Sequence, residues 1–397
     1  MKFIADLHIH SRYSLATSSQ LTPEMLDLWG RKKGISVVGT GDAVHPGWLD
    51  ELKTKLVSAE NGLFRLKKNL VQDDADRYGN PVNFMLCSEI SCIYKKNDRV
   101  RKVHNLIYAP SFSSMDKIQK ALAKIGNIGS DGRPILGLDS RNLLEIILDA
   151  DSQAVLIPAH IWTPWFSVLG SKSGFDSIEQ CYGDLSKYIF AIETGLSSDP
   201  AMNRRCSILD SYALVSNSDA HSPENLGREA NLFDTEISYL AIMDALRKRN
   251  KKFIGTVEYF PEEGKYHLDG HRKCQICWEP EETKKHNEIC PVCGKKVTVG
   301  VLSRVMELAD TPENCKTDEK QTWFSTTPLK NVLSEVLKSG SQSKKVSALY
   351  ESILLQCGSE FSILLDTPIE ELRKVNSMVA DGIQRLREGK VNLQAGY

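Results

Sequence analysis

Four short clusters of acidic and imidazole side chains, scattered over more than two hundred residues, sit at or beside apolar runs of this chain. They are Asp6-Leu7-His8-Ile9-His10 after Phe3-Ile4, Asp42 closing Val37-Val38-Gly39-Thr40-Gly41, Glu89 after Phe84-Met85-Leu86-Cys87-Ser88, and Asp219-Ala220-His221 after Leu214-Val215. His104 and His160 lie within similar runs. Imidazole nitrogens and carboxylate oxygens are the donors that divalent cations take from proteins. In an extended segment His8 and His10 face one way, because a period of two returns to the same face; Asp219 and His221 do likewise. Glu89 has two oxygens to share between neighbouring cations. The set predicts one polynuclear centre with His8, His10, Asp42, Glu89, His104, His160, Asp219 and His221 as metal ligands. Within it His8, His10, Glu89 and Asp219 form the catalytic core. Cations held close together polarise a phosphoryl oxygen, make hydroxide from bound water and stabilise a leaving oxygen, so phosphoester hydrolysis is the expected chemistry. The donor set suits zinc, manganese, magnesium or iron, two to three ions in all. His45, just past Asp42, is read as a supporting or surface group.

Elements able to bring such distant donors together are legible upstream of residue 262. Short apolar runs at Phe3–Leu7, Ile35–Gly39, Val82–Cys87, Val103–Tyr108, Ala154–Ile157, Ile189–Ile192 and Leu214–Ser216 alternate with helix-like stretches. One such stretch opens at Thr22-Pro23-Glu24, a cap followed by Pro at the first helical position; another spans Asp116 to Ile125. Strand and helix in alternation predict a parallel sheet, and seven such units predict that it closes into a barrel; an open doubly wound sheet is the alternative. No Gly-rich phosphate loop follows any of these runs, which argues against a nucleoside-triphosphate enzyme.

Composition changes near Pro261. Cys274-Gln-Ile-Cys277 and Cys290-Pro-Val-Cys293-Gly294 form two Cys-x-x-Cys knuckles, whose spacing predicts one structural zinc held by four thiolates. His267, His271 and His286 flank the knuckles and are expected at the surface. From Thr327 onward apolar residues recur at helical spacing, with Leu329, Val332, Leu333 and Val336, then Val346, Leu349, Tyr350 and Ile353, and Thr367-Pro368-Ile369-Glu370 reads as a capping box. The domains expected are therefore a catalytic unit over 1–262, a zinc module over 263–312 and an all-α carboxyl-terminal domain over 313–397.

Of the 397 residues, 41% are hydrophobic and 25% charged, with a net charge of -1, so overall charge neither requires nor excludes a nucleic-acid partner. Basic runs at Lys95–Lys102 and Arg247–Lys252 are read first as solvated surface. No stretch is long and apolar enough to span a bilayer, and the polar amino terminus predicts a cytoplasmic protein in which the ten cysteines stay reduced.

The motifs Asp6-Leu-His8-Ile-His10-Ser11, Thr40-Gly-Asp42, Ser88-Glu89, His104-Asn-Leu-Ile, Ala159-His160 and Asp219-Ala-His221 resemble those of the polymerase-and-histidinol-phosphatase (PHP) superfamily over roughly residues 1 to 225. The resemblance implies a distorted seven-stranded barrel with up to three metals and phosphoester hydrolysis. By position, His8, His10, Glu89 and Asp219 look like one metal's shell, Glu89, His104 and His160 a second, and Asp42 with His221 a third. Two departures bear on the third: relatives often carry Thr-Asp-His where Thr40-Gly41-Asp42 stands, and a further ligand where Ala16 and Thr17 stand. Longer stretches, including Pro158-Ala-His160-Ile-Trp-Thr-Pro-Trp165-Phe-Ser, Glu193-Thr-Gly-Leu-Ser-Ser-Asp-Pro200 and Ser216-Asn-Ser-Asp-Ala-His-Ser222, resemble the endonuclease Q family, as does the appended four-cysteine module with its helical domain. That resemblance implies a DNA-repair endonuclease nicking on the 5′ side of uracil, hypoxanthine, xanthine or an abasic site. DNA carrying such lesions is then the partner, with replication or repair proteins as further candidates and no membrane. Because a damaged base must leave the stack to be read, the segment after His160 is expected to line its pocket, through Trp162, Trp165, Phe166, Ser167, Ser171 and Lys172. Two other functions fit the residues: a PHP phosphatase for a small phosphomonoester, or a noncatalytic nucleic-acid-binding protein whose metals only stabilise it.

Overall fold

The computed structural model describes residues 1–59, 61–312, 321–393 and 395–397. Its strands are, in order, Lys2–Asp6 (β1), Val37–Gly39 (β2), Leu56–Ser58 (β3), Phe64–Leu66 (β4), Asn83–Met85 (β5), Cys87–Lys96 (β6), Arg99–Tyr108 (β7) and Ile135–Leu136 (β8). They continue with Val155–Pro158 (β9), Ala191–Glu193 (β10), Ala213–Val215 (β11), Ala230–Asp234 (β12), Phe253–Tyr259 (β13), Asp269–His271 (β14), Ile276–Trp278 (β15) and Thr322–Thr326 (β16). An eight-stranded sheet runs β16-β13-β12-β1-β2-β5-β4-β3, a four-stranded one β8-β6-β7-β9, and β10-β11 and β14-β15 pair separately. The fold is mixed α/β.

Side chains divide between two apolar layers with a period of two. Ala5, Leu7, Val37, Met85, Leu106, Ile157, Ala191, Ala213 and Val215 meet in one buried cluster, while Val38, Phe84, Leu86, Ile107, Leu156, Ile192 and Leu214 face another that holds the helices. Strands covered on both faces read as unbroken apolar runs, which is why all seven were visible in the sequence. Less visible were β6, whose amino-terminal half is buried and which forms a hairpin with β7, and the partners β12 and β13. The basic run Lys95–Lys102 straddles that hairpin's turn. Lys95 pairs with Asp98, Lys96 with Asp139, and the buried Arg101 stacks on Phe175, so only part of the run is free surface.

The helix Pro23–Lys33 begins as its sequence requires, with the Thr22 hydroxyl accepting from Met25 N. It carries the carboxyl-terminal helices Leu329–Leu337, Lys344–Cys357, Ile369–Val375 and Ser377–Arg387, which share their own apolar core. Trp29 stacks on Tyr350 at 6.1 Å, Lys32 pairs with Glu351 at 2.6 Å, and buried Lys33 with Glu360 at 2.9 Å. An aromatic pair of this kind adds about 1 kcal/mol to its area burial. Two expectations change here. The segment from residue 313 is not helical throughout: 313–320 lie outside the described residues, and β16 follows, paired in parallel with β13. Nor does Thr367 close a capping box, because its hydroxyl donates to Ser362 O at 3.0 Å and the helix at Ile369 starts without a side-chain cap.

Candidate metal centre

β1 stops at Asp6, yet the period of two carries through a single bridge between Ile9 and Ala220, so His8 and His10 project together just beyond the strand end. Backbone bonds from Asp219 N to His8 O (2.9 Å) and His10 N to Ala220 O (3.1 Å) lash the first cluster to the last. Glu89 enters from β6, His104 from β7 and His160 from just past β9. Asp42, His160 and Asp219 all adopt positive φ, of 47°, 27° and 48°, a region that costs a non-glycine residue roughly 1–3 kcal/mol and that surrounding contacts must enforce. For His160 the room comes from Gly195, where a Cβ would stand 2.6 Å from the histidine's own Cβ.

Two donor groups result: His8, His10 and Asp219, and Glu89, His104 and His160, each with its ligand atoms within 4.8 Å of one another. Glu89 joins them. Its Oε1 lies 2.6 Å from His104 Nδ1 and 3.1 Å from His160 Nε2, while Oε2 lies 3.4 Å from His10 Nε2 and 3.7 Å from His8 Nε2. Asp219 Oδ1 stands 3.0 Å from His10 Nε2 and 3.7 Å from His8 Nε2. Buried His8 Nε2 has no hydrogen-bond partner, although two carboxylates face it. An orphaned imidazole nitrogen between carboxylates is a poor solution for a protein alone and a good one for a cation, so the residues present fit a metal.

Charge follows the same arrangement. Burial opposes ionisation of His8 and His10, but Glu193 and Asp219 outweigh it at His8 and raise its pKa well up; Asp219 and Asp42 outweigh it at His10, to about 9. Burial pushes His104 down to about 4. Against burial, His104 and Arg133 hold Glu89 well below the usual carboxylate range, and His10 and His8 do the same for Asp219. So dense a set of displaced ionisations marks a functional site.

Residues behind the donors set their orientation. Both oxygens of buried Glu193 lie 3.0 Å from His8 Nδ1, which leaves Nε2 facing Glu89 and Asp219. The sequence reading left Glu193 without a role, although it closes an apolar run as Asp42 and Glu89 do. Asp42 is placed otherwise than expected. Its Oδ1 meets His10 Nδ1 at 3.2 Å, and Oδ2 accepts from Ser11 N, Ser11 Oγ and Ser14 Oγ at 2.6, 2.7 and 2.8 Å, so it backs His10 and has no oxygen turned toward the converging atoms. His221 lies on the outer side with its ring 4.6 Å from that of His10 and Nδ1 donating to Asp219 O. Asp42 and His221 each touch His10 and fall in neither of the two donor groups. Asp6 also turns away, accepting from Ser218 N and Gly227 N. His45 caps the helix Pro46–Lys55 and donates to Gly129 O. Arg133, from a Gly-rich loop with no periodic signal, reaches Glu89 Oε2 at 3.3 Å.

The segment after His160 is more structural than expected. Trp162 is buried with Nε1 donating to Asn203; Ser167 Oγ lies 3.1 Å from His160 Nδ1; Ser171 Oγ and Lys172 Nζ donate to Val299 O and Val297 O. Ser171 and Lys172 thereby join the segment to the cysteine module. Phe166, at φ 62°, lays its ring 4.6 Å from that of His104, and Trp165 is exposed.

In the module, His271, Cys274, Cys290 and Cys293 converge, with His271 Nδ1 3.3 Å from Cys293 Sγ. Cys277 stands outside this group and exposed, and His271 is in it rather than merely at the surface. The hairpin explains the exchange: Gly270 faces Cys277 and His271 faces Ile276, so His271 and Cys277 point to opposite faces. His267 is buried, and His286 stacks on Trp278.

Residues 328–390 match the model of the MJ0043 C-terminal domain and 210–250 that of the PHP-associated family. MJ0043 of Methanocaldococcus jannaschii is 35% identical over 244 residues, which is 59% of this chain but only 30% of that protein. The crystal structure of the lesion-specific endonuclease PfuEndoQ from Pyrococcus furiosus shares 32% identity and a TM-score of 0.85 over 100% of this chain and 93% of that one. A structure of endonuclease Q in complex with a 27-mer duplex substrate carrying an abasic lesion at the active site gives 32% and 0.86, over 100% and 94%. Both of these matches run the whole length of this chain, and the chain belongs to the endonuclease Q family.

Proposed function

We propose that this protein is a metal-dependent DNA-repair endonuclease that hydrolyses the phosphodiester on the 5′ side of a deaminated base (uracil, hypoxanthine or xanthine) or of an abasic site. The observation that carries the reading is Glu89, one oxygen turned to His104 and His160 and the other to His8 and His10. Such a carboxylate could be shared between neighbouring cations, one of which His8, His10 and Asp219 would hold and the other His104 and His160. Divalent ions held there would supply hydroxide at neutral pH and polarise phosphoryl oxygens. The chain's own part is preorganisation: Glu193, Asp42 and Ser167 fix the imidazoles of His8, His10 and His160, so the donors need not be ordered when substrate arrives.

A distorted seven-stranded barrel is the architecture we assign to the catalytic unit. Supporting it, Ala109 N donates to Leu86 O, Ile161 N to Glu193 O, Thr194 N to Val215 O and Asp219 N to His8 O, linking the separate ladders in a ring from β5 through β7, β9, β10 and β11 back to β1. Phe166 and Trp165 are the aromatic faces we assign to the extruded base. Full-length similarity to a lesion-specific endonuclease supports DNA over a small phosphomonoester.

Incubating the protein and a divalent metal with duplexes containing uracil, hypoxanthine or an abasic residue, then mapping the cut and its end groups, tests the reading. Nicking beside the lesion and not in undamaged duplex is expected. Release of phosphate from small monoesters with all duplexes left intact would replace it.

A further inference from the structure

The loop from Asn127 to Pro134 crosses the edge of the metal centre and is tied down along its length. His45 Nε2 donates to Gly129 O (3.1 Å), Gly132 N to Tyr13 O (2.9 Å), Leu15 N to Asp131 Oδ1 (3.1 Å) and Ser91 N to Pro134 O (3.0 Å). Gly132 presses on the carboxylate behind His10 so closely that a Cβ would stand 2.3 Å from Asp42 Oδ2 and 2.5 Å from Ser14 Oγ, a distance only glycine tolerates. The residue this anchoring delivers is Arg133.

Its guanidinium has one acceptor among the described residues, Glu89 Oε2 at 3.3 Å, beyond the 2.7–2.9 Å or so of a strong charge-assisted bond. The side chain keeps 28% of its surface exposed, whereas the Glu89 carboxylate is fully buried, so Arg133 approaches from the solvent side. Its charge acts on Asp219 of one donor group, on His104 of the other, and on His221 at the rim. An arginine has five donors in a planar fork, and a single long contact leaves most of them unused. What completes it is an anion with several oxygens.

We infer that Arg133 binds the non-bridging oxygens of the reacting phosphate and stabilises the charge that gathers on them as water attacks. The inference rests on the phosphodiesterase reading above and adds a substrate-side residue to it. In the displacement, the attacking water forms its bond to phosphorus and gives up a proton to solvent as the bond to the leaving sugar oxygen breaks and that oxygen takes a proton from solvent. Arg133 donates throughout and transfers no proton, since guanidinium stays charged.

The test uses the full-length, metal-loaded protein. Removing one donor to developing charge commonly slows catalysis by roughly 10²–10³. Arg133→Ala is expected to lower kcat by that factor on a damaged duplex the parent cleaves, with metal content and melting temperature unchanged. Arg133→Lys should recover part of the rate, and millimolar guanidinium should rescue the alanine variant but not Asp219→Asn. Titration with inorganic phosphate, which needs no cleavage, should show binding weakened at least about tenfold in Arg133→Ala. Parental cleavage and phosphate binding in Arg133→Ala, or a rate loss that only tracks lost metal, would overturn the inference and leave the endonuclease reading standing. A parent that binds phosphate through Arg133 yet nicks no duplex would reject that reading instead.

Discussion

The strand-end centre and the cysteine module both gather metal donors, but by opposite routes. At the centre the donors come from residues 8 to 219 and are delivered by different strand ends, each backed by a buried partner: Glu193 behind His8, Asp42 behind His10, Ser167 behind His160. In the module they come from residues 271 to 293, on one hairpin and one turn, with Cys293 exposed. Where tertiary packing places the ligands, the site exists before the ion; where a local loop places them, the ion holds the loop.

The largest effect expected from this contrast is at Asp219. Asp219→Asn keeps the shape but removes the charge facing His8 and His10, and should abolish nicking, by more than the 10–100-fold or so of a supporting residue, while damaged-duplex affinity stays within a few fold. Gel assays paired with binding anisotropy would decide it; retained nicking would count against the mechanism. Chelation sharpens the contrast. A strong chelator should stop cleavage yet leave amide exchange slow in β1, β2 and β5, while residues 268–300 lose protection. Equal loss in both regions would mean that the strand-end site is not preformed.

Within the module, the face argument separates two residues that the knuckle pattern treats alike. His271→Ala and Cys290→Ser should each release the zinc, read as stoichiometry after dialysis, whereas Cys277→Ser should keep it. The reverse result would restore the four-thiolate site. Next in size is Asp42→Asn, which leaves every donor in place but loosens His10; metal affinity should fall roughly 10–100-fold, measured by competition with a chelating dye.

What was legible in the sequence follows from how each signal is carried. His8, Glu89 and Asp219 could be read because each ends or follows an apolar run covered on both faces, and a run of that kind is a local property. Asp42 was read as a ligand by the same signal, and the structure sets it one layer back; chain position tells that a carboxylate is near the strand ends, not which layer it occupies. Arg133 had no local signal, since a loop held by His45, Tyr13 and Leu15 is defined only by contacts far away in sequence. The bonds that Ser171 and Lys172 make to Val299 O and Val297 O had no local signal either, because those backbone atoms are more than a hundred residues distant. The knuckle spacing could not tell that His271 rather than Cys277 converges with Cys274, Cys290 and Cys293, because the two differ only in hairpin face.

The smallest effect probes the polar floor that keeps the strand-end site rigid. From Glu193 a chain of buried bonds runs through Asn217 and Asn231 to Ser216, whose hydroxyl donates to Glu258. Burial pushes the Glu258 carboxyl up to about 8, and burial together with Glu258 raises Glu229 beside it as well. The sign is that of an acid that is harder to ionise folded than unfolded. Below pH 4.5 Glu258 is protonated in both states and has no effect; between pH 4.5 and about 8 the unfolded chain ionises first, so stability declines with rising pH and levels off above about 8. Glu258→Gln keeps the acceptor oxygen without the charge and should flatten that decline, gaining on the order of a few kcal/mol at pH 8 and nothing at pH 4. Denaturant melts of the two proteins across this range would show it. Parallel pH profiles would mean that Glu258 is ionised in the folded protein, and that the floor beneath His8 holds a charge it has no cation to balance.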